Sequence, residues 1–243
     1  MKYLKYALSA LVIAVVLGGT SVFAQADAGN LIRPEMFSSS INILLSLSAI
    51  GFVPLFLMSA TSFLRIVIVM GMIRSAIGTQ QSPPNAVIVS LSVFLTIFVM
   101  TPTWNEVNQT AIIPYQEGRI SQRQAFDLGV QPVRKFMLKF TREKDLALFL
   151  EFSQLKTVTN YDDVPIYVLV PAFMISELKT AFQIGFLLFI PFVVIDLIVS
   201  NILLSLGMFM LSPAMISLPF KILLFVLTDG WNLVIRGILL SFK

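Results

Sequence analysis

The 243-residue chain contains no cysteine and no histidine. Without cysteine it has no disulfide, thiolate metal site or thiol nucleophile. Without histidine it lacks the commonest general base and metal ligand. Charge is scarce as well: 12% of residues are charged, against about 25% in a soluble domain. The net charge is +4, and two of the positive residues, Lys2 and Lys5, lie at the amino terminus. No Arg/Lys stripe interleaves with aromatics, so the basic balance gives no nucleic-acid footprint. These absences weigh against an enzyme and call for no cofactor and no metal. What fills the chain is apolar: 57% of it is hydrophobic, the composition of an integral membrane protein.

Residues 1–24 follow the plan of a secretory leader. Lys2 and Lys5 form a basic start, Tyr6 to Leu17 an apolar run, and Gly18 to Ala24 a small, polar end. The apolar run is shorter than a spanning helix needs. Cleavage after Ala24 fits the small-residue rule, and cleavage after Ala26 fits nearly as well. An uncleaved first transmembrane helix is the alternative.

Ile41 to Leu64 carries no charge and is long enough to cross a bilayer, with interruptions expected at Gly51 and Pro54. Arg65 follows at once and Arg74 nine residues later, which points this end to the cytoplasm. The plainest reading of Arg65 is a snorkelling end residue. Gly78 to Asn85 reads as a turn. Ala86 to Thr103 supplies a second apolar run and Trp104 an interfacial anchor. Residues 25–105 thus form a first helical hairpin with its amino-terminal lead.

Residues 106–163 differ in character, with eight basic and eight acidic residues. Pro114, Gly118, Gly129 and Pro132 are expected to break this segment into short pieces. Ser121 is a candidate N-cap with Gln124 three positions on. Pro132 to Leu155 reads as an amphipathic helix, with Val133, Phe136, Met137, Phe140, Ala147 and Leu148 inward. Glu143, Asp145 and Glu151 then fall on a solvated face beside Arg142, Lys144 and Lys156. Eight Lys/Arg argue for the cytoplasmic side, whereas a leader followed by a two-span hairpin puts the segment outside. The leader takes precedence, because the charge rule weakens as loops approach about 60 residues. The expectation is a polar, periplasmic domain.

Val164 to Leu211 is 48 residues with three charges, Glu177, Lys179 and Asp196. One straight helix of that length would span about 70 Å, against about 30 Å of hydrocarbon. It must fold back, with Pro191 a candidate bend, or lie partly outside the lipid. Pro219 to Phe242 forms a last apolar segment, in which Asp229 and Arg236 share a helix face. Residues 164–243 therefore read as a second long hairpin, turning near Gly207. Intramembrane charges face protein or water rather than lipid. Glu177 and Lys179 are two apart and cannot pair on one helix; their partners come from other segments or other chains. Ser176, Thr180 and Gln183 make a polar stripe beside Glu177. Pairing within the subunit, pairing between subunits and an ion path are all open on the sequence.

Three stretches carry a resemblance. PAFMISELKTAFQIGF (Pro171 to Phe186) resembles the first signature of the FliP family of flagellar export-apparatus proteins, and PFVVIDLIVSNILLSLGM (Pro191 to Met208) resembles its second. FLRIVIVMGMIRSAIGTQQSPPN (Phe63 to Asn85) is similar to the family's first hairpin. The resemblance implies a core pore subunit of the flagellar type III export gate in the bacterial inner membrane, at the flagellar basal body. It implies a homo-oligomer, five copies in the family picture, assembling with FliQ, FliR, FlhB and FlhA. Unfolded flagellar subunits pass through, and the helices are raised out of the membrane plane. It further implies that Met208, Phe209 and Met210 form a pore gasket, with Phe209 standing where the commoner pattern has methionine. Arg65, Glu177, Lys179 and Asp196 then read as charges that fix helices of one subunit or of neighbouring subunits together. The fold expected is an all-α membrane protein of two helical hairpins separated by a polar, mainly helical, extracytoplasmic domain. The competing functions are an injectisome export-gate subunit, an ion or small-solute channel, and a membrane-bound hydrolase.

Overall fold

The computed structural model describes residues 51–79, 81–153 and 164–243. The leader at 1–24 and the part of the first apolar run before Gly51 lie outside these residues. Among the described residues the secondary structure is helical throughout, with no strand, so the chain is all-α. In chain order the helices are α1 (Gly51–Ala60), α2 (Phe63–Ile77), α3 (Asn85–Val107), α4 (Ile113–Gln116), α5 (Gln122–Phe140), α6 (Glu143–Phe152), α7 (Ile166–Ser205), α8 (Pro213–Leu227) and α9 (Gly230–Leu240). A single wider turn, Asn108–Ile112, joins α3 to α4 without a break. Two stretches, Asn85–Gln116 and Ile166–Ser205, are long and apolar enough to cross a membrane. The bent pairs α1–α2 and α8–α9 would add two more if each is one span.

Several breaks do not fall where the sequence places them. α1 runs through Pro54, and the chain turns by 82° only after Ala60. Thr61 makes that corner: its hydroxyl donates to the Leu57 carbonyl, closing α1, and accepts the Phe63 N–H at 3.2 Å, opening α2. Ala60, Thr61, Ser62 and Phe63 are all buried. A buried corner needs such local partners, because an unpaired backbone group away from water costs as much as a lost hydrogen bond.

α5 likewise passes through Gly129 and Pro132, and the chain breaks at Thr141 and Arg142, which are extended. Gly129 sits against the turn below α3, where an added Cβ would lie 3.3 Å from Ala111 Cβ. Its role is close packing rather than interruption. Ser121 and Gln124 form the expected capping box. The break at Thr141 resets the helical phase of α6. Val133, Phe136 and Met137 face inward as expected, but Ala147 and Leu148 are exposed, and Asp145 and Leu146 take the buried positions.

α7 does not fold back at Pro191. It is one helix of 40 residues running through Pro171 and Pro191, about 60 Å long. A proline removes one helical hydrogen bond and crowds the preceding turn. Here the next residue, Phe192, is buried against Phe225 of α8, ring centroids 6.4 Å apart. That contact beside Pro191 holds the helix continuous, as neighbouring helices do for prolines in spans. α2 lies along α7 and touches α3 and α8 as well. Gly185 of α7 faces Met72 of α2, whose sulfur would be 2.2 Å from an added Cβ.

Two apolar cores flank this axis. One joins α3, α5 and α6 to the first turns of α7 through Met100, Phe136, Met137, Leu146, Leu169 and Phe173. The other joins α2, α3, α7, α8 and α9 through Ile66, Met70, Ile73, Ala181, Phe192 and Ile238. The charged segment is thus seated on α7 by its own apolar faces.

Candidate functional site

α7 is pinned to its neighbours at three levels, each by an acid and a base from different helices. At the first, Arg65 of α2 grips Glu177 with two nitrogens: Nε donates to Oε2 at 2.9 Å and Nη2 to Oε1. Arg65 is 2% exposed and Glu177 is fully buried. Arg65 is therefore not a snorkelling end residue. Its Nη1 donates to the carbonyl of Ser241 at 2.8 Å and to the Ser241 hydroxyl at 3.0 Å. The guanidinium carbon lies 4.0 Å from the Phe242 ring centroid and 5.3 Å from that of Phe140. The last residues of the chain thus close over the pair. A bidentate, charge-assisted contact of this kind combines strength with geometric specificity.

At the second level the α5–α6 break meets α7. The Arg142 N–H donates to Ser176 Oγ at 3.0 Å, and its guanidinium donates to Thr180 Oγ1 at 3.0 Å and Gln183 Oε1 at 2.6 Å. This is what the stripe of Ser176, Thr180 and Gln183 is for, and it explains why the helix stops at Thr141. Ser176 donates to Asp145 Oδ2 at 2.8 Å, and Lys179 bonds Oδ1 of the same carboxylate. Asp145 is 2% exposed, not on a solvated face. Burial pushes its carboxyl up, but hydrogen bonds from Lys179 and Ser176, with the charges of Lys179 and Arg142, outweigh that and hold it below its ordinary value. Sequence reasoning missed Asp145. The signal was present: it shares an i, i+1, i+4, i+5 stripe with Leu146, Phe149 and Leu150, which all pack inward.

At the third level Lys221 of α8 donates to Asp196 Oδ2 at 2.7 Å, and Ser217 to Oδ1 at 2.6 Å. Lys221 also reaches the Ala76 carbonyl at the end of α2, 3.4 Å away. Asp196 lies nineteen residues beyond Glu177, about 28 Å along the helix. The partners of Glu177, Lys179 and Asp196 all come from this same chain, so no second subunit is needed to satisfy them. Asp229 and Arg236 do not share a regular helix face. Asp229 precedes α9 in the left-handed region, φ 51°, where α8 and α9 meet at 66°.

The far end of α7 carries no charge. Gly207, at φ 75°, closes the helix: its N–H donates to Leu204 and that of Met208 to Leu203, at 3.1 and 3.0 Å. This pair of bonds is a Schellman closure, which needs a left-handed residue and so favours glycine. The chain then presents Met208 (45% exposed), Phe209 (76%) and Met210 (100%) before α8 begins. Phe209 does not turn into the core of its own chain.

The model of the FliP family matches residues 46–238. Flagellar biosynthetic protein FliP of Bacillus subtilis is 47% identical over 222 residues, 91% of this chain and 98% of its own. That of Pectobacterium carotovorum is 46% identical over 96% of this chain and 92% of its own. That of Aquifex aeolicus is 43% identical over 94% and 97%. The family model spans most of the chain and these relatives are covered almost end to end: the chain belongs to the FliP family.

Proposed function

We propose that this chain is a pore-forming subunit of the flagellar type III protein export gate, a non-enzymatic part through which unfolded flagellar subunits leave the cell. The relatives' names place them in flagellar biosynthesis. The observation that carries the pore reading is the Met208–Met210 turn, the exposed, uncharged tip of a 40-residue helix. Methionine is flexible and unbranched and can re-pack around varied cargo. A ring of such tips, supplied by several copies, would close an opening without specifying what passes.

The outer surface supports assembly in a membrane. Only 17% of the most apolar stretch of α7 is buried within the chain. The rest, including Phe186, Leu187, Leu197 and Ile198, needs lipid or other chains to cover it. We assign the subunit to the bacterial inner membrane at the flagellar basal body, as a homo-oligomer with FliQ, FliR, FlhB and FlhA, its charged segment on the periplasmic side. The ion-path alternative drew on the intramembrane charges, and of these Glu177 and Asp196 are both paired within the chain.

Deleting the gene should abolish motility and hook export and leave small-solute uptake unchanged. A deletion strain that swims would overturn the assignment. The mass of the detergent-extracted complex tests the ring: a monomer as the sole species counts against it.

A further inference from the structure

The corner between α1 and α2 is held differently from the turns that follow α2, α4, α7 and α8. Those turns contain Gly78, Gly118, Gly207 and Asp229, whose φ values are all positive, between 51° and 86°. Thr141 and Arg142, between α5 and α6, are extended. Such backbones cannot continue a right-handed helix. At the α1–α2 corner neither Thr61 nor Ser62 has a positive φ. Ser62 is already in the right-handed region, at φ −68° and ψ −5°. No glycine or proline stands between Pro54 and Gly71. The 82° turn therefore rests on side chains.

Two hydroxyls there have opposite roles. Thr61 holds the bend, because its oxygen accepts the Phe63 N–H, which in a continuous helix would go to the Ser59 carbonyl. Its donation to the Leu57 carbonyl, four residues back, suits either form. Ser62 opposes the bend. Its side chain is buried, and its Oγ has no hydrogen-bond partner among the described residues. A buried hydroxyl left in this way bears its whole desolvation penalty. In a continuous helix it reaches the Met58 carbonyl, the four-back bond that Thr96, Thr101 and Ser205 make within α3 and α7. Straightening takes Ser62 ψ from −5° to about −42°, with a matching change at Thr61. α2 is fixed by the Arg65–Glu177 pair and by Ile66, Val69 and Met70 in the core. Of α1 only Ala60 is buried, so α1 is the arm that moves.

We infer that the Thr61–Ser62 corner is a hinge with two settings: the bent one, and one in which Gly51 to Ile77 is a single helix about 40 Å long. Thr61 and Ser62 set the balance between them from opposite sides. The swing turns the exposed side chains of Phe52, Leu55 and Phe56 from one direction to another, so α1 offers a neighbour two different surfaces. The two settings depend neither on the pore reading nor on where lipid lies.

The test uses the full chain in detergent, which has no native cysteine to remove. Val53→Cys and Ser75→Cys, both at exposed positions, carry spin labels for pulsed dipolar distance measurement. In one straight helix their backbones lie about 33 Å apart. With arms of about 12 and 20 Å turned by 82° they lie about 25 Å apart. The labelled parent should show both distances, the shorter in excess. Thr61→Val removes the hydroxyl that holds the corner and keeps the side-chain shape; it should raise the long-to-short ratio about fivefold or more. Ser62→Ala removes the unpartnered hydroxyl and should lower the ratio by about as much. A single distance, the same in the parent and in Thr61→Val, overturns the proposal. So do shifts of the two variants in the same direction, or a Ser62→Ala ratio equal to the parent's. A second label pair, Ser75→Cys with Asn201→Cys, follows α2 against α7 and should keep one distance throughout. Should Thr61→Val broaden it, Ser62→Ala alone decides.

Discussion

Removing the Glu177 carboxylate should cost this chain more than any other single polar change. The Glu177→Ala variant leaves Arg65 charged at 2% exposure. Breaking a buried pair from one side costs about 3–5 kcal/mol. Arg65 would keep Ser241 and the Phe242 ring, and a desolvated cation over an aromatic face is worth about 2 kcal/mol. The lower end, about 3 kcal/mol, is therefore expected. A hydrogen bond between membrane helices averages about 0.6 kcal/mol, so the two cases are well separated. A loss of about 3 kcal/mol is a substantial fraction of the roughly 5–15 kcal/mol that holds a typical protein folded. The assay is the unfolding midpoint of the detergent-solubilised chain, by heat or by dodecyl sulfate. The double variant Arg65→Met/Glu177→Leu removes both charges and should regain most of the loss, because an apolar replacement of a buried pair is often neutral. A Glu177→Ala shift within about 0.5 kcal/mol of the parent, the range of ordinary surface changes, would refute the reasoning. A double variant as damaged as the two singles summed would do the same.

Other predictions concern the remaining contacts. Asp145 is held below its ordinary pKa, so its contribution is fully present above the unfolded value of about 3.9 and is lost as pH falls through the lower folded value. Acid unfolding below about pH 4 should therefore be blunted in Asp145→Asn, which should also be less stable at neutral pH; identical acid profiles would count against the Lys179 contact. Gly185→Ala should destabilise by about 1–3 kcal/mol through overpacking on Met72, and Met72→Ala in the same chain should relieve it; additive losses would mean the two do not meet. Gly207→Ala should cost about 1–2 kcal/mol, because it forces a left-handed alanine, whereas Gly71→Ala, mid-helix with open space around it, should gain about 0.5–1 kcal/mol. Thermal midpoints of both variants check the sign. Changing Met208, Phe209 and Met210 to glycine should leave assembly intact and raise membrane conductance to small ions; unchanged conductance removes the gasket role from these positions.

What the sequence determined is the class of the chain and the roles of its local signals. Long apolar runs were enough for an all-α protein with helices able to span a membrane, because backbone groups in lipid must be satisfied within helices. Ser121 with Gln124 was legible as a cap, and Gly207 as a helix stop, since both act through neighbours a few residues away. The sequence also showed that Glu177 and Lys179 needed partners elsewhere. It did not show which, because Arg65 and Asp145 lie 112 and 34 residues away, and only packing brings them near. The helix breaks were misplaced for the same reason. Proline lowers the stability of a helix locally, but Phe192 and Gly129 sit in contacts that hold α7 and α5 continuous. The breaks fall at Thr61 and Thr141–Arg142, where side chains from this chain's own helices offer the backbone other partners. Once the break at Arg142 is in place, the phase of α6 is set, and with it the burial of Asp145.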